Sequence, residues 1–185
     1  MIYPIVAYGD PVLKKRALDI TPETLDVKKL VEDMFETMYS ASGVGLAAPQ
    51  IGKAIRVFVV DTAPLEEDEG KPGLKKVFIN AHIIKEEGKE WAFEEGCLSI
   101  PGIREDVYRK EKLRIKYVDE NFVAHEEEYE GMQARVIQHE YDHIDGVLFT
   151  DHLPGLKKRL LKNKLSNISR GIVKADYRMV FPMKK

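Results

Sequence analysis

An α+β fold is predicted for this 185-residue chain. Three observations predict it. Val27, Leu30, Val31, Met34, Phe35 and Met38 recur at the 3.6-residue spacing of a helix with one apolar face. Residues 55–61 are rich in β-branched side chains and residues 113–118 alternate clearly, as in strands. Asp119-Glu120-Asn121 then lies between two strand patterns as a hairpin turn, which makes those neighbours antiparallel.

Composition narrows the class. Hydrophobic residues at 44% and charged residues at 32% are ordinary for a globular protein. The length suits one domain over 1–185, without repeats or a linker. A formal net charge of −2 gives no bulk attraction to nucleic acid or anionic membrane. No apolar run reaches membrane-spanning length, and Met1-Ile2-Tyr3-Pro4-Ile5-Val6 lacks the pattern of a secretory signal. The single cysteine excludes an internal disulfide, and a reducing cytoplasm is the expected compartment.

In chain order, residues 1–20 read as extended and irregular, packed across the body by Ile2, Ile5, Val6, Val12, Leu13 and Leu18. The first helix is expected over 24–41, with Thr21-Pro22-Glu23 supplying its cap and early proline. Its Met34 and Met38 are core. Small residues flanked by glycines follow at 42–52, where backbone can approach a strand or a ligand. After the strand at 55–61, residues 64–73 form a solvated acidic loop. Further strands are expected at 77–80, 82–84, 107–109, 113–118 and 122–126, with His125 exposed. A helix spans 131–144, stopped by Asp145-Gly146. Beyond Pro154, the leucines at 156, 160, 161 and 165 with Ile168 form an apolar stripe, and Lys157, Lys158, Arg159, Lys162 and Lys164 cover the rest. The plain reading is a docked helix over 154–170 with a solvated basic face; contact with the ribosome through phosphate attraction is the alternative. Residues 173–181 are expected to close the chain as an edge strand.

The chemistry gathers on 131–144. Gln138-His139-Glu140-Tyr141-Asp142-His143 contains H-E-x-x-H, which on a helix puts His139 and His143 on one face. Two imidazoles then reach one metal ion, with Glu140 beside them as general base. Ile137, Tyr141 and Ile144 mark a second apolar face, so both faces are expected to be buried. Burial of His, Glu and His together needs a metal or a polar network, because unpaired polar groups are costly inside a protein. Asp142 points away and reads as structural. Taken alone, Cys97 in Glu95-Gly96-Cys97-Leu98-Ser99 reads as a small buried hydrophobe.

Together, Gly43-Val44-Gly45-Leu46-Ala47-Ala48-Pro49-Gln50, Glu95-Gly96-Cys97-Leu98-Ser99 and Gln138-His139-Glu140-Tyr141-Asp142-His143 resemble, in order, the signature motifs of the peptide deformylases. The resemblance implies mainly antiparallel, mixed sheets around a central H-E-x-x-H helix. It implies hydrolytic removal of the N-formyl group from the initiator methionine of new proteins, with release of formate. It implies Cys97, His139 and His143 as metal ligands, with an open fourth position. Ferrous iron is the family's usual native metal, often replaced by nickel, cobalt or zinc, and Cys with two His suits several of these. Glu140 is then the base, and the Gln50 amide and Leu98 backbone N–H are oxyanion donors. An extended formyl-Met peptide is expected to add to a strand edge at Val44 and Gly45. Val136 borders the methionine pocket, with Val44 and Met132 as further walls. The resemblance also suggests that Glu95 pairs with Arg109 and that Arg104 meets the substrate backbone. Two other classes remain open on the sequence: a general H-E-x-x-H peptidase, against which Cys97 and Gln50 speak, and a metal-stabilised module that docks on ribosomes without catalysis.

Overall fold

The computed structural model describes residues 1–183. Its elements run β1 (Ile5–Val6), α1 (Val27–Ser40), β2 (Gly45–Ala47), β3 (Val57–Asp61), α2 (Ala63–Glu66), β4 (Lys75–Cys97), β5 (Ile100–Val118), β6 (Ala124–Glu130), α3 (Gly131–Ile144), α4 (Gly155–Ser169) and β7 (Met179–Val180). Strands β2 to β6 form a five-stranded antiparallel sheet in chain order, and β1 pairs with β7 in parallel. The architecture is α+β, as expected.

Both faces of the sheet are covered around β2 and β3. Leu46, Val57, Val59, Val77 and Ile79 meet Leu30, Val31, Met34 and Met38 of α1. The alternate residues Ala47, Phe58, Val60 and Phe78 meet Ala134, Val136, Ile137 and Ile144 of α3. This is the two-residue period of a strand buried on both sides. Burial of a side chain such as Ile137 contributes about 1.5–3 kcal/mol. A third cluster joins Ile100, Ile103 and Val107 of β5 to Leu161, Leu165 and Ile168 of α4 and to Val6 and Leu13.

The end of α3 is fixed from two sides. Gly146 adopts φ +75°, Gly146 N–H donates to His143 O, and Val147 N–H donates to Asp142 O, the Schellman arrangement. Arg56, only 2% exposed, donates to Ile144 O at 3.1 Å and to Asp145 Oδ1 at 2.8 Å. A cation at a helix C-terminus is favourable, and this one also ties α3 to β3 and, through Ala81 O, to β4.

Several expectations are corrected. The first helix begins at Val27 because Asp26, rather than Thr21, caps it by accepting from Lys29 N–H. The strand fragments at 77–80 and 82–84 belong to β4, and those at 107–109 and 113–118 belong to β5. Register shifts near 79–82, 83–85 and 87–90 break the alternation without ending the ladder. Within 64–73 the chain forms α2 and a short turn of 3₁₀-helix, and Glu66 is buried with its carboxylate on Thr62 Oγ1. His125 is half-buried against Tyr117 and bonds Asp119. In α4 the leucines at 161 and 165 are buried, but Leu156 and Leu160 face outward, at 62% and 68% exposure. Of 173–181 only Met179–Val180 is a strand. Leu18 and Ile2, expected to pack, are exposed.

Candidate metal centre

His139 and His143 stand one turn apart on α3, with ring centroids 5.2 Å apart. Cys97 ends β4, at the turn into β5. Its Sγ lies 3.5 Å from His143 Nε2. One donor atom from each of Cys97, His139 and His143 falls within 4.8 Å of the others. A thiolate and two imidazoles are the donors that borderline divalent metals take, so the residues fit a mononuclear site.

The imidazole of His139 is held by Glu95. His139 Nδ1 donates to Glu95 Oε1 at 2.8 Å, which leaves Nε2 for the cluster. Carboxylates behind ligating histidines fix tautomer and ring orientation. Glu95 is 4% exposed and is balanced by two cations. Arg109 donates to both its oxygens, at 2.7 and 3.0 Å, and Arg135 donates to Oε2 at 2.7 Å. Burial alone would raise the Glu95 carboxyl, but hydrogen bonds from His139 and Arg109 hold it well below the usual carboxylate range. The expected Glu95–Arg109 pair is therefore present. Asp142, read as structural, takes Arg109 Nη1 at 2.8 Å and His152 Nε2 at 2.8 Å.

Glu140 is 5% exposed, and its Oε2 meets no hydrogen-bond partner among the described residues. Burial pushes its carboxyl up to about 7, against the opposing pull of His139. An unpartnered buried carboxylate oxygen beside the ligand cluster is suited to taking a proton from a bound reactant. Gly45 makes room for it. A Cβ at Gly45 would lie 2.5 Å from Glu140 Oε1 and 2.7 Å from Cγ. That glycine was expected to admit substrate backbone; its closest constraint is the Glu140 side chain.

Gln50, 1% exposed, is held by Ala47 N–H donating to its Oε1 at 3.0 Å. Its Nε2 is thereby aimed at Ser99 Oγ, 3.2 Å, and Cys97 Sγ, 3.4 Å. A cleft of about 590 Å³ opens over these groups. Val44, Gly45, Gln50, Leu98, Arg104 and Val136 all border it, together with Cys97, His139 and Glu140. Met132 is not among the bordering residues. Arg104 lies at the rim, tied to Glu94 through Nε at 3.1 Å and through Nη2 to Glu94 O at 3.0 Å. β2 is the edge strand of the sheet, so it has one free side.

Sequence reasoning passed over Arg135. Its Nη2 donates to Trp91 O at 2.6 Å, its Nη1 to Val107 O at 2.8 Å, and its guanidinium lies 4.4 Å from the Trp91 ring centroid. The signal was available: Arg135 precedes His139 by four residues, so it shares the buried ligand face and must meet a carboxylate there. Tyr177 was also missed; it borders the cleft from the C-terminal tail, where no motif marks it.

A helix carrying His139 and His143, a cysteine from a neighbouring turn, and a buried carboxylate at a substrate-sized cleft define a candidate metal-dependent hydrolase. Comparison with known proteins narrows the class. Residues 2–159 match the family model described as polypeptide deformylase. A peptide deformylase of Cytophaga hutchinsonii is 62% identical over 185 residues, covering 100% of both chains. The crystal structure of a peptide deformylase from Legionella pneumophila superposes with a TM-score of 0.80 at 39% identity, covering 93% of this chain and 98% of that one. That of the Thermus thermophilus enzyme gives 0.80 at 42% identity, covering 91% and 98%. The chain belongs to the polypeptide deformylase family, whose members are metal-dependent hydrolases that remove the N-formyl group from nascent peptides.

Proposed function

We propose that this chain hydrolyses the formamide of formyl-methionyl peptides at the Cys97–His139–His143 cluster. The convergence of those donor atoms beside Glu140 carries the reading. Cys97, His139 and His143 would hold a divalent ion, which would supply Lewis acidity and lower the pKa of a water toward neutral pH. Glu140 takes the proton of the attacking water and returns one to the departing amine. The Gln50 amide and the Leu98 N–H donate to the oxygen on which negative charge develops. The substrate backbone adds to the free side of β2 at Val44 and Gly45, Val136 borders the methionine pocket, and Arg104 reaches the substrate backbone from the rim.

The same reading takes ferrous iron as the native metal, with nickel, cobalt or zinc as its replacements in a purified sample. Residues 1–185 act as one catalytic domain around α3. The protein is read as cytoplasmic, and no helix among the described residues is long and apolar enough to cross a membrane. For the basic face of α4, where Leu156 and Leu160 are exposed, a solvated surface stays the plain reading and ribosome contact the alternative.

The test compares a formyl-methionyl tripeptide with its unformylated twin under anaerobic conditions, with metal content measured. Formate release from the first and no cleavage of the second is expected. Cleavage of peptide bonds in the unformylated peptide would make the chain a general peptidase instead.

A further inference from the structure

The family match ends at residue 159, yet the chain beyond it reaches the cleft. After α4 the tail turns back, and Lys174 to Tyr177 form part of the cleft wall. The tail is anchored, not loosely draped. β7 pairs with β1, and Ile5 N–H and Ala7 N–H donate to Arg178 O and Val180 O at 2.8 and 2.9 Å. From this anchor the Tyr177 hydroxyl donates to Leu98 O at 2.7 Å. The Tyr177 ring packs in the same apolar cluster as Leu98.

The turn that receives this bond is held at successive residues. Tyr8 N–H, just past β1, donates to Ser99 O at 2.8 Å. Gln50 Nε2 donates to Ser99 Oγ at 3.2 Å. Tyr177 takes Leu98 O. The N-terminal strand, the tail and the Gln50 segment therefore clamp one short turn, which also carries Cys97 and the Leu98 N–H. Leu98 and Ser99 are the two turn residues between Cys97 and Ile100, which pair across β4 and β5, so these two lie outside the ladder itself. The Leu98 N–H lies in the 97–98 peptide and Leu98 O in the 98–99 peptide, so a hydrogen bond to Leu98 O restrains the 98–99 plane and, with it, rotation of the Leu98 backbone that joins the two.

We infer that Tyr177 is a positioning residue for the deformylation reaction, its hydroxyl fixing the 97–99 turn so that the Leu98 N–H faces the developing oxyanion. The inference rests on the reading of the function given above. A donor aimed where charge develops acts mainly in the transition state. Loss of its aim therefore lowers kcat more than it raises KM.

The experiment is Tyr177→Phe in the full chain, loaded with metal and assayed on a formyl-methionyl tripeptide. A five- to tenfold fall in kcat is expected, with KM within twofold and metal content unchanged. Hydrogen exchange of the peptide covering 97–102, followed by mass spectrometry, is expected to speed up in the variant. Unchanged kcat, or a rise in KM alone, overturns the assignment. Tyr177→Ala is the companion: wild-type kinetics for the phenylalanine variant with loss only for alanine would reduce Tyr177 to an apolar wall and also overturn it. If the wild-type protein releases no formate, the functional reading fails. The hydrogen-exchange comparison still tests the clamp in that case, and equal exchange in both proteins would remove it.

Discussion

Glu95 and His139 are joined at 2.8 Å, Oε1 to Nδ1, and this bond links the sheet to α3. Through it a carboxylate on β4 sets which imidazole nitrogen of α3 faces Cys97. The same carboxylate pairs with Arg109 and Arg135, both almost wholly buried, and Asp142 supplies Arg109 with a second carboxylate. Its removal therefore touches metal binding and folding together.

Glu95→Gln keeps the shape and loses the charge. Metal affinity is expected to fall about 10–100-fold, the usual cost of losing a carboxylate behind a ligating histidine. Arg109 keeps Asp142, but the buried guanidinium of Arg135 loses the carboxylate it pairs with, so stability falls by roughly 3–5 kcal/mol. Metal titration and urea unfolding of the apoprotein measure the two effects separately. Wild-type values for both would show that Glu95 does not hold the site.

Gly45→Ala places a methyl where Glu140 now lies, with contacts near 2.5 Å at Oε1 and 2.7 Å at Cγ. The clash involves the root of the side chain as well as its tip, so Glu140 must rotate away. Formate release is expected to drop at least tenfold while metal stoichiometry stays at the wild-type value. A fully active alanine variant would mean that Glu140 works from another rotamer.

Glu127 sits among Tyr117, Tyr129 and Lys76, accepting from Tyr117 at 2.6 Å and from Lys76 at 2.9 Å. Burial alone would raise its carboxyl, but hydrogen bonds from Tyr117, Tyr129 and Lys76 bring it down to about 2 from the ordinary value of 4.5. A carboxyl with a depressed folded-state pKa stabilises the fold above the unfolded value and loses that contribution as pH falls. The window is pH 4.5 down to 2. With solvent screening at this half-open site, the contribution is on the order of 1–2 kcal/mol. Unfolding free energy measured across that window is expected to fall less steeply in Glu127→Gln than in the wild type. Parallel acid limbs would remove Glu127 as a cause of acid sensitivity.

Ile137→Ala empties a fully buried position on the α3 face that meets the sheet. A loss of about 2–5 kcal/mol is expected from lost transfer energy and the cavity left behind. At a temperature where the variant is folded, its kcat should remain near wild type, because Ile137 faces away from the ligands. A large kcat loss in the folded variant would couple core packing to the reaction.

The ligand helix was legible because H-E-x-x-H and the apolar positions share one period, and the observed bounds of α3 agree with 131–144. Cys97 was different. Its own surroundings read as a buried apolar residue, and only the ordered set of motifs gave it a role. β4 and β5 were fragmented in the reading because bulges interrupt alternation while hydrogen bonding continues. Arg56 and Arg135 were hidden for another reason. A buried cation is explained only by partners distant in sequence: Glu95 lies forty residues from Arg135 and Ile144 lies eighty-eight from Arg56. Gly45 was noticed for the right property, the absence of a side chain, but the group needing the space was Glu140. The exposed Leu156 and Leu160 show the limit of periodicity, which marks an apolar stripe without saying how much of it a partner covers.

The proposed function rests on Glu140 moving the proton at a metal held by Cys97, His139 and His143. Its direct measurement is formate release by anaerobically metal-loaded wild type and Glu140→Ala, with metal counted in both. Formate release by the wild type, and a loss of roughly 10²–10⁴-fold or more in the variant at equal metal content, is the predicted result. A metal-loaded Glu140→Ala protein that releases formate at the wild-type rate would contradict it.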